Sequence, residues 1–157
     1  MSVRVGIESP LTDDMRALVG ELNAVLLELT PPEFCFHMSV EEMAGPQTTV
    51  FVARDPASGE ALGCGALLRH PDGVGEVKRM YTRPQARGRG IGRAILERIE
   101  ALAEAEGGAE LVLETGDRHP AAWRVYERGG FVRCGPVLDY PDSSYSVFYR
   151  KALTRRT

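Results

Sequence analysis

Gln85-Ala86-Arg87-Gly88-Arg89-Gly90-Ile91-Gly92 alternates glycine with bulkier residues between two strongly patterned segments. Upstream, Gly75–Thr82 reads as a strand that Arg83-Pro84 ends. Downstream, Gly90–Glu106 repeats Ile91, Ala94, Ile95, Ile99 and Leu102 at helical spacing and stops at Gly107-Gly108. Glycine lets a ligand approach the main chain and opens backbone angles closed to other residues. The first amides of the helix have no partner inside it and lie at the positive end of its dipole. A strand, a glycine turn and a helix in that order therefore suit a pyrophosphate, and Arg87, Arg89 and Arg93 add charge-assisted donors around it. A Walker loop would close on Gly-Lys-Ser/Thr, whereas this one runs Gly92-Arg93-Ala94. A dinucleotide fingerprint would open a Rossmann sheet, but this turn falls mid-chain with no second half to follow, although Glu110 lies near the spacing of its acidic residue.

Working away from the turn, Val3–Ile7 alternates as a first strand. Thr12 caps a first helix, with Asp13 and Asp14 in its first turn and Met15, Leu18, Leu22, Val25, Leu26 and Leu29 on one face, until Thr30-Pro31-Pro32 stops it. Ser39 with Glu42 forms a capping box for a short helix over Val40–Ala44. Thr48–Arg54 and Ala61–Arg69 flank the turn Asp55–Gly59 as a hairpin. Leu111–Thr115 reads as a buried strand, Pro120 opens a helix running to Gly129-Gly130, and Phe131–Cys134 and Tyr145–Leu153 close the chain as strands. The order β-α-α-β-β-β-α-β-α-β-β predicts an α/β fold, a mixed sheet flanked by helices, with parallel pairing between Gly75–Thr82 and Leu111–Thr115. All 157 residues read as one domain with a frayed tail at 154–157.

Composition narrows the partners. Nineteen basic and 22 acidic residues leave a formal charge of −3, without the basic excess of a general nucleic-acid binder. No apolar run approaches the ~20 residues of a membrane span, and no cationic, apolar leader opens the chain. Cys35, Cys64 and Cys134 are scattered, with no zinc-ligand spacing, so no metal is expected. They read as buried small residues of a cytoplasmic protein. A strand edge leaves monomer and homodimer both open.

At this point the residues resemble the GNAT family of N-acetyltransferases. Gln85-Ala86-Arg87-Gly88-Arg89-Gly90 matches its Gln/Arg-x-x-Gly-x-Gly/Ala motif in full. Glu76–Pro84 looks like the family's fourth strand. The segment His119–Phe131 is similar to a second motif, Asn-x-x-Ala-x-x-Leu-Tyr-x-x-x-Gly-Phe. Ala122, Tyr126, Gly130 and Phe131 match in register, Val125 replaces leucine, and His119 replaces asparagine. The resemblance implies a central mixed, mostly antiparallel sheet of six to seven strands, about four helices, and a parallel pair that splays apart. It implies acetyl-CoA as donor, held by Arg87, Gly88, Arg89, Gly90, Ile91, Gly92 and Arg93 at the pyrophosphate. The pantetheine arm would lie along Met80, Tyr81 and Thr82, with His119 and Ala122 also beside the cofactor. Amides left unpaired by the splay could polarise the thioester carbonyl.

Acetyl transfer needs a neutral amine, a stabilised oxyanion and a protonated leaving thiolate. An alkyl ammonium of pKa about 10 is only about one part in a thousand neutral at pH 7, so a base is required. Tyr126 is the candidate acid, at the family position that often donates to the thiolate; its alternative is packing on the sheet. Glu76 is the candidate base or amine anchor; its alternative is a solvated strand-end carboxylate or a salt bridge to Lys78 or Arg79. Strand alternation would put Glu76, Lys78, Met80 and Thr82 on one face and Val77, Arg79 and Tyr81 on the other. Glu114, on the neighbouring strand, is the second choice for the base. Phe34, Phe36, His37, Tyr140 and Tyr145 are candidates to line or cover the acceptor pocket, while His119 is expected to cap the helix that follows it and His70 to be exposed. Direct attack in a ternary complex is the simpler route, since no cysteine has an evident activating partner. The expected acceptor is a small-molecule amine. A protein N-terminus or lysine is the near alternative, and a non-catalytic CoA sensor the distant one.

Overall fold

The computed structural model describes residues 3–154; the part of the expected frayed tail at 155–157 lies outside the described residues. The chain runs β1 (Arg4–Ile7), α1 (Asp13–Leu29), α2 (Val40–Met43), β2 (Thr48–Arg54), β3 (Ala61–Arg69), β4 (Val74–Thr82), α3 (Ile91–Ala105), β5 (Glu110–Gly116), α4 (Pro120–Arg128), β6 (Val132–Cys134) and β7 (Ser146–Ala152). Local chemistry sets the ends. Thr12 Oγ1 accepts the Met15 amide at 3.2 Å to start α1, and Thr30, in extended backbone before Pro31, ends it. At α2 both halves of the Ser39–Glu42 capping box form. Asp55 accepts the amides of Ala57 and Ser58 to fold the hairpin turn between β2 and β3.

The seven strands form one sheet in the order β1-β2-β3-β4-β5-β7-β6. Among the described residues only β4 and β5 pair in parallel; the other neighbours are antiparallel. Each face buries its own core. On one face α3 and α4 cover the sheet, with Ile91, Ile95, Ile99 and Tyr126 against Phe51, Leu67, Leu111 and Tyr149. On the other, Met15, Leu18 and Leu22 of α1 and Met43 of α2 pack on Val50, Val52, Cys64 and Ala66. Each fully buried side chain of this size contributes about 1.5–3 kcal/mol.

Two departures of the sheet from regularity position the site. The ladder between β4 and β5 covers only Val74–Glu76 against Glu110–Val112, after which the strands diverge. The second is a bulge in β4. Cys64 pairs with Tyr81 and Ala66 with Lys78, so Arg79 and Met80 together face the single residue Gly65. Arg79 takes the left-handed conformation, φ 55°. The expected alternation is therefore corrected. Beyond the bulge the faces exchange: Met80 joins the α3 side, Tyr81 joins the α1 side, and Arg79 reaches Asn23 of α1.

Candidate active site

The glycine turn keeps the geometry its composition suggests. Gly88 and Gly90 have φ of 86° and 73°, in the region where side chains are strained. A Cβ on either would meet nothing within 4 Å, so the backbone there faces open space. Gly90 caps α3, and the Ala94 amide makes the first backbone bond into the helix, to the Gly90 carbonyl at 3.0 Å. The amides of Ile91, Gly92 and Arg93 precede that bond and stay available. Arg87 is exposed, whereas Arg89 pairs with Asp55 at 3.2 Å and Arg93 with Glu97 at 3.0 Å. Gly92 packs towards Val125 of α4. These residues fit a diphosphate: a concave main chain, free amides at a helix start, and cations at its rim.

A cavity of about 100 Å³ opens where β4 and β5 diverge. Val77–Met80 form one wall and Glu114–Gly116 the other. Leu22, Leu26 and Thr30 come from α1 and its end, and Phe34, Cys35, Phe36 and His37 from the segment after it. Tyr126 enters from α4.

Tyr126 is 6 % exposed, and burial, followed by the charge of Glu114, pushes its phenol well above the ordinary tyrosine range. It stays protonated at any physiological pH. The rings of Phe131 and Tyr149 flank it at 6.0 and 5.9 Å. Glu114 accepts a hydrogen bond from Ser146 at 2.7 Å. Burial raises its pKa, partly opposed by that bond and by Lys78. A cavity carboxylate of raised pKa and a permanently protonated phenol thus border the same space.

Glu76 lies elsewhere. It is 3 % exposed and absent from the cavity wall. His70 Nε2 meets its Oε1 at 2.9 Å, the Tyr140 hydroxyl donates to Oε2, and Lys78 pairs with it at 3.5 Å. Lys78 also donates to the Tyr140 hydroxyl at 2.8 Å. This network ties the loop carrying Tyr140 to β4, with Tyr140 edge-on to Phe36 at 5.1 Å. His70, expected to be exposed, is half-buried by its bond to Glu76.

Phe34, Phe36 and His37 reach the cavity, and Tyr145 stacks behind Phe34 at 4.9 Å rather than lining it. His37 has a buried Nε2 without a partner, and its pKa is lowered by burial and then by Arg79 and Lys78. His119 occupies the N-cap position of α4, but its side chain makes no cap bond, which corrects the expected capping. Its ring turns inward against Gly116, with Nε2 buried and unpartnered, and burial lowers its pKa. Ala122 is partly buried against the α3-side core. Met80 borders the cavity, while Tyr81 donates to Glu21 at 3.1 Å on the other face. Thr82 is half-buried at the end of β4. Among the cysteines only Cys64 is buried, its thiol pushed up to about 12 by burial; Cys35 and Cys134 are half-exposed, contrary to expectation.

Arg79, Thr115 and Gly116 are among the cavity residues that sequence reasoning missed. Gly65, a glycine inside a strand, was the available hint of the bulge that turns Arg79 inward.

The geometry is that of a known family. Residues 18–131 match the model of the acetyltransferase (GNAT) family, and the chain belongs to that family. It is an acyltransferase of the N-acetyltransferase kind. It is 40% identical to an IAA acetyltransferase of Azospirillum brasilense over 153 residues, which cover 97% of this chain and 99% of that one. A glucosamine 6-phosphate N-acetyltransferase of Oryza sativa is 32% identical, over 78% of this chain and 77% of its own. Among solved structures, a Klebsiella pneumoniae protein assigned as an acyl-CoA N-acyltransferase superposes with a TM-score of 0.84 at 31% identity, covering 97% and 98% of the two chains. A Sinorhizobium meliloti phosphinothricin acetyltransferase in complex with AcCoA shares the fold, with a TM-score of 0.73 at 20% identity over 98% and 89%. Among the described residues no helix is long and apolar enough to cross a membrane.

Proposed function

We propose that this protein moves an acetyl group from acetyl-CoA to the primary amine of a small molecule, by direct attack in a ternary complex. The observation that carries this reading is the cavity between the diverging ends of β4 and β5, bordered by both Glu114 and Tyr126. Acetyl-CoA supplies an activated thioester. The amides of Ile91, Gly92 and Arg93 and the open backbone at Gly88 and Gly90 would hold its diphosphate, with Arg87, Arg89 and Arg93 at the rim. The free edge of β4 from Met80 to Thr82 would hold the pantetheine arm, and His119 and Ala122 would flank it from α4.

Glu114 takes the proton of the acceptor ammonium. This assigns the base to the second candidate, because the oxygens of Glu76 are already engaged by His70, Tyr140 and Lys78. A raised pKa makes Glu114 the stronger base when it is ionised. Tyr126 returns a proton to the leaving thiolate. Phe34, Phe36 and His37 shape the acceptor side, with Tyr145 supporting Phe34. A relative named for glucosamine 6-phosphate supports a small acceptor. With three free thiols and no disulfide among the described residues, the protein suits a reducing compartment such as the cytoplasm.

The test is release of free thiol from acetyl-CoA in the presence of a panel of small amines and of peptides. Turnover on a small amine supports the reading. Tight CoA binding with no turnover on any amine replaces it with a sensor, and turnover on peptides alone moves the acceptor to protein.

A further inference from the structure

We infer that the acceptor carries an anionic group, a carboxylate or a phosphate, beside its amine, and that Arg79 binds this group in the cavity. The inference rests on the reading of the cavity as the acceptor site. Arg79 is only 7 % exposed. Its neighbours along the chain are matched by carboxylates: Lys78 by Glu76 at 3.5 Å and Arg83 by Glu21 at 3.0 Å. Among the described residues Arg79 pairs with no carboxylate. Its one side-chain partner is the neutral amide oxygen of Asn23, and its Nε is buried without any partner. A guanidinium cannot shed its proton, so burying it unpaired is costly unless an anion arrives. The bulge makes this arrangement. Regular alternation would follow Lys78 with a residue facing α3, and the left-handed backbone at Arg79 instead directs the side chain to the α1 side, where it borders the cavity.

The rest of the cavity is complementary to such an acceptor. His37, which also lines the cavity, offers a second buried and unpartnered nitrogen, its ring Nε2. Glu114 stands on the strand across the cavity. An acceptor with its amine towards Glu114 and its anion towards Arg79 would satisfy both ends, and a simple alkylamine would leave Arg79 unpaired. Arginine suits this task because its planar fork can donate two parallel bonds to a carboxylate or phosphate.

Matched acceptors test it. With saturating acetyl-CoA, wild-type protein is given phenylalanine against 2-phenylethylamine, methionine against 3-methylthiopropylamine, and glucosamine 6-phosphate against glucosamine. We expect kcat/KM to favour the anionic member of at least one pair by about tenfold or more, expressed mainly in KM. The amino-acid and sugar-phosphate arms distinguish carboxylate from phosphate. Arg79→Gln should lower kcat/KM for the anionic member by about tenfold or more and so remove that preference, and Arg79→Lys should restore part of it. Equal kcat/KM within every pair overturns the inference, as does an Arg79→Gln variant that slows both members alike. If no amine supports turnover, the acetyltransferase reading fails first. Calorimetric titration of the CoA-loaded protein with the same anionic compounds then decides: binding lost in Arg79→Gln upholds the anion site, and no binding to wild type overturns it. The wild-type comparisons stand even if a variant does not fold.

Discussion

Glu114 and Tyr126 carry the proposed chemistry, and their environments set opposite roles. Burial raises both pKa values, which makes the carboxylate a stronger base and keeps the phenol protonated, as a weaker acid than free tyrosine, until a thiolate departs beside it. The sign for activity follows. Glu114 must be ionised to accept a proton, so kcat should rise with pH through a value above the ordinary carboxylate range. Glu114→Gln should abolish that limb and lower kcat by about 10²–10⁴, measured as a pH–rate profile. The sign for stability is the reverse. A carboxylate whose folded pKa is raised favours the folded state below its unfolded pKa of about 4.3 and loses that contribution as pH rises through the folded value. Glu114→Gln should therefore melt higher than wild type at neutral pH; an equal or lower melting temperature would count against the burial cost assigned to Glu114. Tyr126→Phe should lower kcat by about 10²-fold or more with CoA affinity nearly unchanged. Unaltered kcat would return Tyr126 to a packing role.

The turn into α3 and the bulge in β4 are the two segments on which the site depends. At the turn, Gly90 combines a φ of 73° with open space where a Cβ would point. Gly90→Glu adds strain and a negative charge against the proposed diphosphate site, and CoA affinity should fall at least tenfold by calorimetry. An unchanged Kd would remove the phosphate role of the turn. At the bulge, a Cβ on Gly65 would lie 2.7 Å from the Ile95 side chain and closer still to Met80. Gly65→Ala should cost about 1–3 kcal/mol by overpacking, read from urea unfolding, and should disturb Arg79, because the bulge it opposes would have to shift. A variant as stable as wild type would mean that α3 can move away from the sheet.

Across the molecule, ligand and fold are coupled, because the donor would contact β4, α3 and α4 together. CoA at a hundred times its Kd should stabilise the protein by about 2.7 kcal/mol, seen as a higher melting temperature, and Gly90→Glu should cut that gain to about 1.4 kcal/mol or less at the same concentration. The order and nearly all the boundaries of the elements were legible in the chain itself, from the Thr12 cap to the Pro120 helix start. So was the strand-turn-helix of the proposed donor site. Those features depend on residues close in sequence: periodicity, caps, and glycine or proline at fixed positions. Tertiary contacts settled the rest. Glu76 was legible as a carboxylate on the right strand, but its engagement by His70 and Tyr140 joins parts of the chain 6 and 64 residues away. The faces of β4 beyond Lys78 followed from one extra residue opposite Gly65, which a period of two cannot foresee. The turn at residues 85–92 thus announces an anion site from local backbone chemistry alone. The cavity itself, with Glu114, Tyr126 and Arg79 converging from three elements, exists only once the sheet has paired, bulged and parted, because no short-range interaction holds those groups together.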